Sequence, residues 1–164
     1  MVMHPASIDL SVFLTPHQLL ATTFVVAFVS GFVPFVNIEA YLIAAVALGG
    51  TSSTLSLALV STSGQMLAKS LLYLSGRGIL NLPFGRHREK LERMKRDFAE
   101  RGAMTMPFLF LSAFLGLPPF YIVSVLAGAL GVPFLHFLAG GCIGRFLRFG
   151  LVAFFPRLVL RLWK

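Results

Sequence analysis

Two long apolar stretches of this chain are each cut part-way by proline and glycine, and those cuts limit the fold more than any other feature. The first stretch runs from Leu19 to Val36, with Gly31 and Pro34 near its far end. A short apolar segment, Ile38–Gly49, follows and stops at Gly49-Gly50. The second stretch, Met104–Leu115, breaks at Gly116-Leu117-Pro118-Pro119 and resumes as Phe120–Leu130. Proline lacks the backbone donor a helix interior needs, so Pro34, Pro118 and Pro119 predict helix breaks. At about 1.5 Å per residue, Ile38–Gly49 reaches only about 18 Å, short of a hydrocarbon core of about 30 Å. Two further segments, Ser53–Ser75 and Val132–Phe155, are long enough to span, the second ending at Pro156.

Composition decides whether these helices belong in a soluble core or a bilayer. Hydrophobic residues are 57% of the 164 and charged residues 12%, with a mean hydropathy of +0.84. Soluble domains are typically about 45–50% apolar and about 25% charged. The chain therefore reads as an all-α integral membrane protein. Its N-terminus lacks the basic region and small-residue cleavage site of a signal peptide, so the first apolar stretch is expected to be retained. The net charge of +8 would suggest nucleic acid in a soluble protein. Here much of it collects in residues 76–101, at Arg77, Arg86, Arg88, Lys90, Arg93, Lys95, Arg96 and Arg101. A basic run beside apolar spans predicts a cytoplasmic loop facing anionic headgroups, with no nucleic-acid partner. Within it Leu91, Met94 and Phe98 share a helical face, and Glu89–Arg93, Glu92–Arg96 and Asp97–Arg101 are favourable i,i+4 pairs. An amphipathic surface helix is expected there.

The halves resemble one another. Ala47-Leu48-Gly49 and Ala129-Leu130-Gly131 lie 82 residues apart, and Gly64 and Gly144 fall at similar places in the two long segments. Interrupted segments in corresponding positions of two halves are a mark of transporters with internal repeats. Broken backbone at membrane depth must be buried in protein or line a cavity. The expected architecture is two repeated halves, each an interrupted apolar segment and a short helix followed by one full span. It forms one membrane domain over 1–164, with repeats at 17–75 and 102–155, the basic loop at 76–101 between them, and a basic tail at 156–164. The competing reading is a pair of ordinary proline-kinked helices.

Four ionisable side chains interrupt apolar segments: Glu39, Lys69, Arg145 and Arg148. A charge near the bilayer centre costs about 2.5–3.5 kcal/mol on insertion scales, so each needs a partner or water. Arg145 and Arg148 are three apart and share a helical face. Lys69 is near enough to the loop to snorkel. Three cations against one carboxylate suit a phosphate-bearing anion better than a cationic solute. Glu39 with Arg145 and Arg148 is the expected transport and proton site, and a permanent Glu39–arginine bridge is the structural alternative. Tyr41, Tyr73 and Tyr121 are interfacial or pocket donors. His136 has no metal-ligand partner nearby, Cys142 is the lone cysteine, and Ser61 and Ser63 have no identifiable base. No catalytic residue, metal site or cofactor is expected.

The pattern of Asn37-Ile38-Glu39, Gly64 with Tyr73-Leu74-Ser75-Gly76-Arg77, Phe98-Ala99-Glu100-Arg101-Gly102, Leu126-Ala127-Gly128 and Gly144-Arg145-Phe146-Leu147-Arg148-Phe149 resembles the DedA/VTT (SNARE-associated) membrane family. The likeness covers about Phe24 to Phe155 and is greatest to its short, YqaA-like members. It implies an inverted repeat of two facing re-entrant helical hairpins, each followed by a transmembrane helix, and movement of lipids across the bilayer, as flippase or scramblase. It also implies that Glu39 is the hairpin carboxylate, Arg77 the Gly-Arg turn and Gly128 the second hairpin's Ala-Gly. Two positions depart from the larger members. Lys69 stands where they carry an acid four before the motif tyrosine, and Phe114 and Phe120 stand where arginines flank their second break.

The resulting expectation is a multi-pass cell-membrane transporter, in the inner membrane if the source is bacterial, that moves an anionic or phosphate-bearing lipid with protons as coupling partner. Asn37, Lys69, Tyr73 and Arg77 are additional candidate substrate contacts. Proton-dependent export of small molecules, a lipid-phosphate phosphatase and a structural assembly role are the alternatives. The oligomeric state is open, a homo-oligomer included.

Overall fold

The structure is a computed structural model that describes residues 15–33, 35–49, 54–79, 93, 96 and 102–162. Among the described residues six helices are ordered along the chain: α1 Pro16–Phe32, α2 Ile38–Gly49, α3 Thr54–Ile79, α4 Gly102–Leu115, α5 Phe120–Ala129 and α6 Phe134–Leu162. Arg93 and Arg96 are helical and exposed, and the rest of the amphipathic segment lies outside the described residues. So does Pro34, although α1 ends and α2 begins on either side of it.

Local sequence explains most of the boundaries. Thr15 caps α1 in a reciprocal box with Gln18, and Pro16 occupies the first turn, where its missing N–H costs nothing. The chain leaves α4 through Gly116 at φ +80°, a left-handed conformation open to glycine. It then passes a cis Leu117–Pro118 peptide and enters α5 behind Pro119. α5 ends in a Schellman motif. Val132 N–H donates to the Ala127 carbonyl at 3.0 Å and Gly131 N–H to the Gly128 carbonyl at 3.1 Å.

Two helices outrun their expected ends. α3 continues to Ile79, so Gly76 and Arg77 belong to its last turn and not to the basic loop. α6 continues through Pro156 to Leu162, so the tail is helical where a stop was expected. Proline forbids its own N–H bond and crowds one carbonyl, but the surrounding ladder carries the helix across.

The packing pairs neighbours and then crosses over. α1 lies along α3, and α4 lies along α6. The short helices pack mainly on the other trio's long helix, α2 on α6 and α5 on α3. Thus Ile38, Leu42, Ala45 and Val46 of α2 cluster with Phe149 and Ala153 of α6, joined by Leu57 and Ala58 of α3. Phe120, Val123 and Ala127 of α5 cluster with Met66 and Tyr73 of α3 and with Phe137 of α6. Glycines set the closest approaches. A Cβ on Gly64 would stand 2.6 Å from the Phe24 carbonyl and 3.0 Å from the Ala27 Cβ of α1. One on Gly144 would stand 2.7 Å from the Phe110 carbonyl and 2.8 Å from the Ala113 Cβ of α4. Helices that pack in lipid gain little from apolar burial and rely on such small-residue contacts.

The distribution of polarity is inside-out. On α3, Leu55, Leu59, Leu67, Leu71 and Leu74 are exposed, whereas Ser61, Thr62, Gln65 and Lys69 are buried. On α6, Leu147 and Leu151 are exposed and Arg145 is buried. A water-soluble fold would reverse this. Among the described residues one helix stretch, Phe134–Phe155, is long and apolar enough to cross a membrane by length and composition, and α1, α4 and α5 are shorter apolar helices. α3 was expected to qualify. It has the length, with 26 residues, but its buried polar stripe lowers its mean hydropathy.

Candidate functional site

The two helix breaks face a common cavity of about 530 Å³, bordered by Asn37, Ile38 and Glu39 from one side and Gly116, Pro119, Phe120 and Tyr121 from the other. α3 contributes Gln65 and Lys69 to its wall, and α6 contributes Arg145 and Arg148. Ser30 of α1 completes the polar lining. All four ionisable groups singled out in the sequence, together with Asn37, therefore border one space. It holds three cations and one carboxylate.

Arg148 joins three elements. Its Nε donates to Glu39 Oε1 at 2.6 Å, its Nη2 lies 2.5 Å from the same oxygen, and its Nη1 donates to the Phe114 carbonyl at 3.2 Å. Phe114 sits in the last turn of α4, where carbonyls have no partner within the helix. A cation there also meets the negative end of the helix dipole. Lys69 does the same for α1, donating from Nζ to the Gly31 carbonyl. Gly116 is fixed twice over: its φ is positive, and a Cβ there would strike the Arg148 guanidinium.

Arg145 lies deeper, only 9% exposed. Its Nη1 donates to Gln65 Oε1, and Gln65 Nε2 donates to Ser30 Oγ at 2.7 Å. Ser30 Oγ in turn donates to the Ala27 carbonyl at 2.8 Å. Its guanidinium stands 5.2 Å from the Phe120 ring centroid and 5.9 Å from that of Phe149, within cation–π range. Among the described residues Arg145 Nε has no hydrogen-bond partner and no carboxylate bridges this arginine. Lys69 Nζ stands 5.8 Å from the Tyr121 ring centroid.

The remaining sequence candidates lie elsewhere or are otherwise engaged. Asn37 Oδ1 accepts from the Glu39 and Ala40 N–H groups at 3.0 and 3.1 Å, so it caps α2. Tyr73 is fully buried, stacks on Phe137 and donates to the Val132 carbonyl at 2.5 Å. Arg77 is exposed at the end of α3. Pro118 and Pro119 form the second break. Sequence reasoning missed Ser30 and Gln65. Neutral polar residues are ordinary packing residues in membrane helices, and the usable signal was that Gln65 stands four before Lys69, on the same face.

A second cleft, of about 160 Å³ and almost wholly apolar, lies beside the same break between α4 and α5. Phe108, Pro118, Ile122 and Leu126 are among its walls.

Helices that are apolar outside and polar within, around a cationic cavity at two broken segments, are the arrangement of an integral membrane protein. The VTT domain model matches residues 35–158, most of the chain, and the protein belongs to the VTT-domain (DedA/SNARE-associated) family. No match is found among curated proteins or among solved structures.

Proposed function

We propose that the protein moves an anionic, phosphate-bearing lipid across the membrane, with Glu39 as a protonatable switch. The observation that carries this reading is the cavity itself, in which Lys69, Arg145 and Arg148 oppose a single carboxylate. A net positive pocket flanked by broken helices is suited to a phosphate headgroup. The apolar cleft beside the second break suits a hydrocarbon chain and favours a lipid over a free ion.

The architecture that goes with this function is two re-entrant hairpins, α1–α2 and α4–α5, in an inverted repeat. Support comes from the paired glycines, since Gly64 meets Phe24 and Ala27 as Gly144 meets Phe110 and Ala113. It comes also from the crossed packing of α2 on α6 and α5 on α3. In this reading the basic loop is cytoplasmic, as the positive-inside rule requires.

Arg148 holds Glu39 through one oxygen, and among the described residues no donor reaches Oε2. Protonation of Glu39 would remove the charge that holds Arg148 and free the guanidinium for a phosphate oxygen. Return of the carboxylate would compete that oxygen away. The test is translocation in vesicles loaded with purified protein, using a headgroup-labelled phosphatidic acid and a zwitterionic choline lipid. The expected result is protein-dependent movement of the anionic lipid, faster than that of the choline lipid and altered by pH. Rates equal to those of empty vesicles would overturn the function.

A further inference from the structure

The two short helices both begin at the cavity, and their first turns differ in one respect that matters for an anion. α2 is already satisfied. Asn37 Oδ1 takes the Glu39 and Ala40 N–H groups, and the Glu39 carboxylate supplies negative charge in the first turn. With the 82-residue offset that aligns Ala47-Leu48-Gly49 with Ala129-Leu130-Gly131, Asn37 corresponds to Pro119 and Glu39 to Tyr121. α5 therefore has neither a capping side chain nor an acid in its first turn. Ile122 and Val123 N–H both turn to the Pro119 carbonyl. The Phe120 and Tyr121 N–H groups donate to no described residue.

The two cavity cations that no carboxylate bridges among the described residues lie near this terminus. The Arg145 guanidinium lies against the Phe120 ring and the Lys69 ammonium against the Tyr121 ring, the first two residues of α5. Arg145 is nine-tenths buried, lines the cavity, and keeps an unpartnered Nε. A buried donor without a partner costs free energy that a ligand oxygen would restore. Backbone N–H groups at a helix start, with the positive end of the helix dipole behind them, are suited to bind anions.

We propose that the α5 N-terminus is the seat of the phosphate group. Its oxygens take the Phe120 and Tyr121 N–H groups and Arg145 Nε, and Lys69 provides the second charge. The phosphate fills at α5 the place that Asn37 and the Glu39 carboxylate fill at α2. Glu39–Arg148, held against Phe114 and Gly116 of the break before α5, is then the release side and not the primary grip. This assignment rests on the transport reading above and narrows it to one end of the site.

The chain has three tyrosines, so backbone labelling with ¹⁵N-tyrosine gives three amide signals, assignable by single Tyr→Phe variants. Protein in phosphatidylcholine nanodiscs is titrated with inorganic phosphate, and separately prepared with phosphatidic acid in the disc. The expected result is a saturable downfield movement of the Tyr121 amide, with Tyr41 and Tyr73 unmoved. In Arg145→Gln the response should need roughly ten- to a hundredfold more phosphate. In Gly150→Ala, away from the cavity lining, the response should persist. Response to both phosphate sources marks a general phosphate seat, and response only in discs containing phosphatidic acid marks a lipid headgroup seat. A Tyr121 amide in the unmodified protein that is silent to both sources overturns the proposal, whatever the variants do. Movement of Tyr41 instead would shift the seat to α2 and also overturn it. Failure here with intact lipid translocation would remove only the seat. A responsive Tyr121 in a protein that moves no lipid would remove the transport reading and keep the seat.

Discussion

Glu39 spends one oxygen on two nitrogens of Arg148, and that asymmetry makes its substitution informative. The pair is only partly shielded, with side-chain exposures of 24% for Arg148 and 30% for Glu39. Exposed pairs contribute about 0–1 kcal/mol and breaking buried ones costs about 3–5 kcal/mol, so Glu39→Gln should cost about 1–2 kcal/mol. Arg148 keeps its bond to the Phe114 carbonyl, so the protein should still fold, as a thermal melt in detergent would register. Translocation should persist but lose its pH response. Normal pH dependence in a folded Glu39→Gln protein would sink the switch. Tyr73→Phe has the opposite profile. It strands the Val132 carbonyl and should lower stability by about 1–2 kcal/mol while leaving lipid movement unchanged. These charged residues stood out in the sequence because a charge inside an apolar run needs a reason. Ser30 and Gln65 did not stand out, because nothing in their local sequence tells a relay from ordinary helix packing.

At the scale of helices, glycine position decides what can be substituted. A Cβ on Gly128 would collide with the Tyr73 carbonyl and stand 2.9 Å from the Arg77 nitrogen, both backbone. Gly128→Ala should therefore force α5 off α3 and cost about 1–3 kcal/mol or more, measurable as a lowered melting temperature. Gly150 has nothing within 4 Å of its would-be Cβ. Gly150→Ala should be neutral or stabilise α6 by up to about 1 kcal/mol, from helix propensity alone. Gly64→Ala and Gly144→Ala should be destabilising to a similar degree, since each meets a carbonyl and an alanine in the same arrangement. Unequal losses would weaken the repeat. The breaks at these helices were legible because proline and glycine act locally. Pro156 misled for the same reason: read locally it stops a helix, whereas α6 runs on through it to Leu162.

For the molecule as a whole, the inside-out distribution was legible from composition, and the pairing of helices was not. Nothing in the order of segments says that α2 packs on α6, because that contact depends on a helix more than a hundred residues further along. The proposed topology has a direct test. Replacing Cys142 leaves a cysteine-free background, in which single cysteines at positions 3 and 162 can be labelled from either side. Two re-entrant hairpins require both positions to react from the side opposite the basic loop. Reaction of both from the cytoplasmic side would exclude that architecture.

The crossing of the short helices also constrains how the protein is made. α6 is synthesised last of the six described helices, yet it supplies Phe149 and Ala153 to the cluster that buries α2. Until α6 emerges from the ribosome, α2 leaves the translocation machinery without its main packing surface, and α3 waits likewise for α5. A broken helix with unshielded backbone ends is a poor tenant of lipid. The nascent first half is therefore a natural substrate for membrane quality-control proteases. Residues 1–101 expressed alone should turn over rapidly and accumulate when residues 102–164 are supplied as a second polypeptide, so that the two halves assemble as if they were subunits.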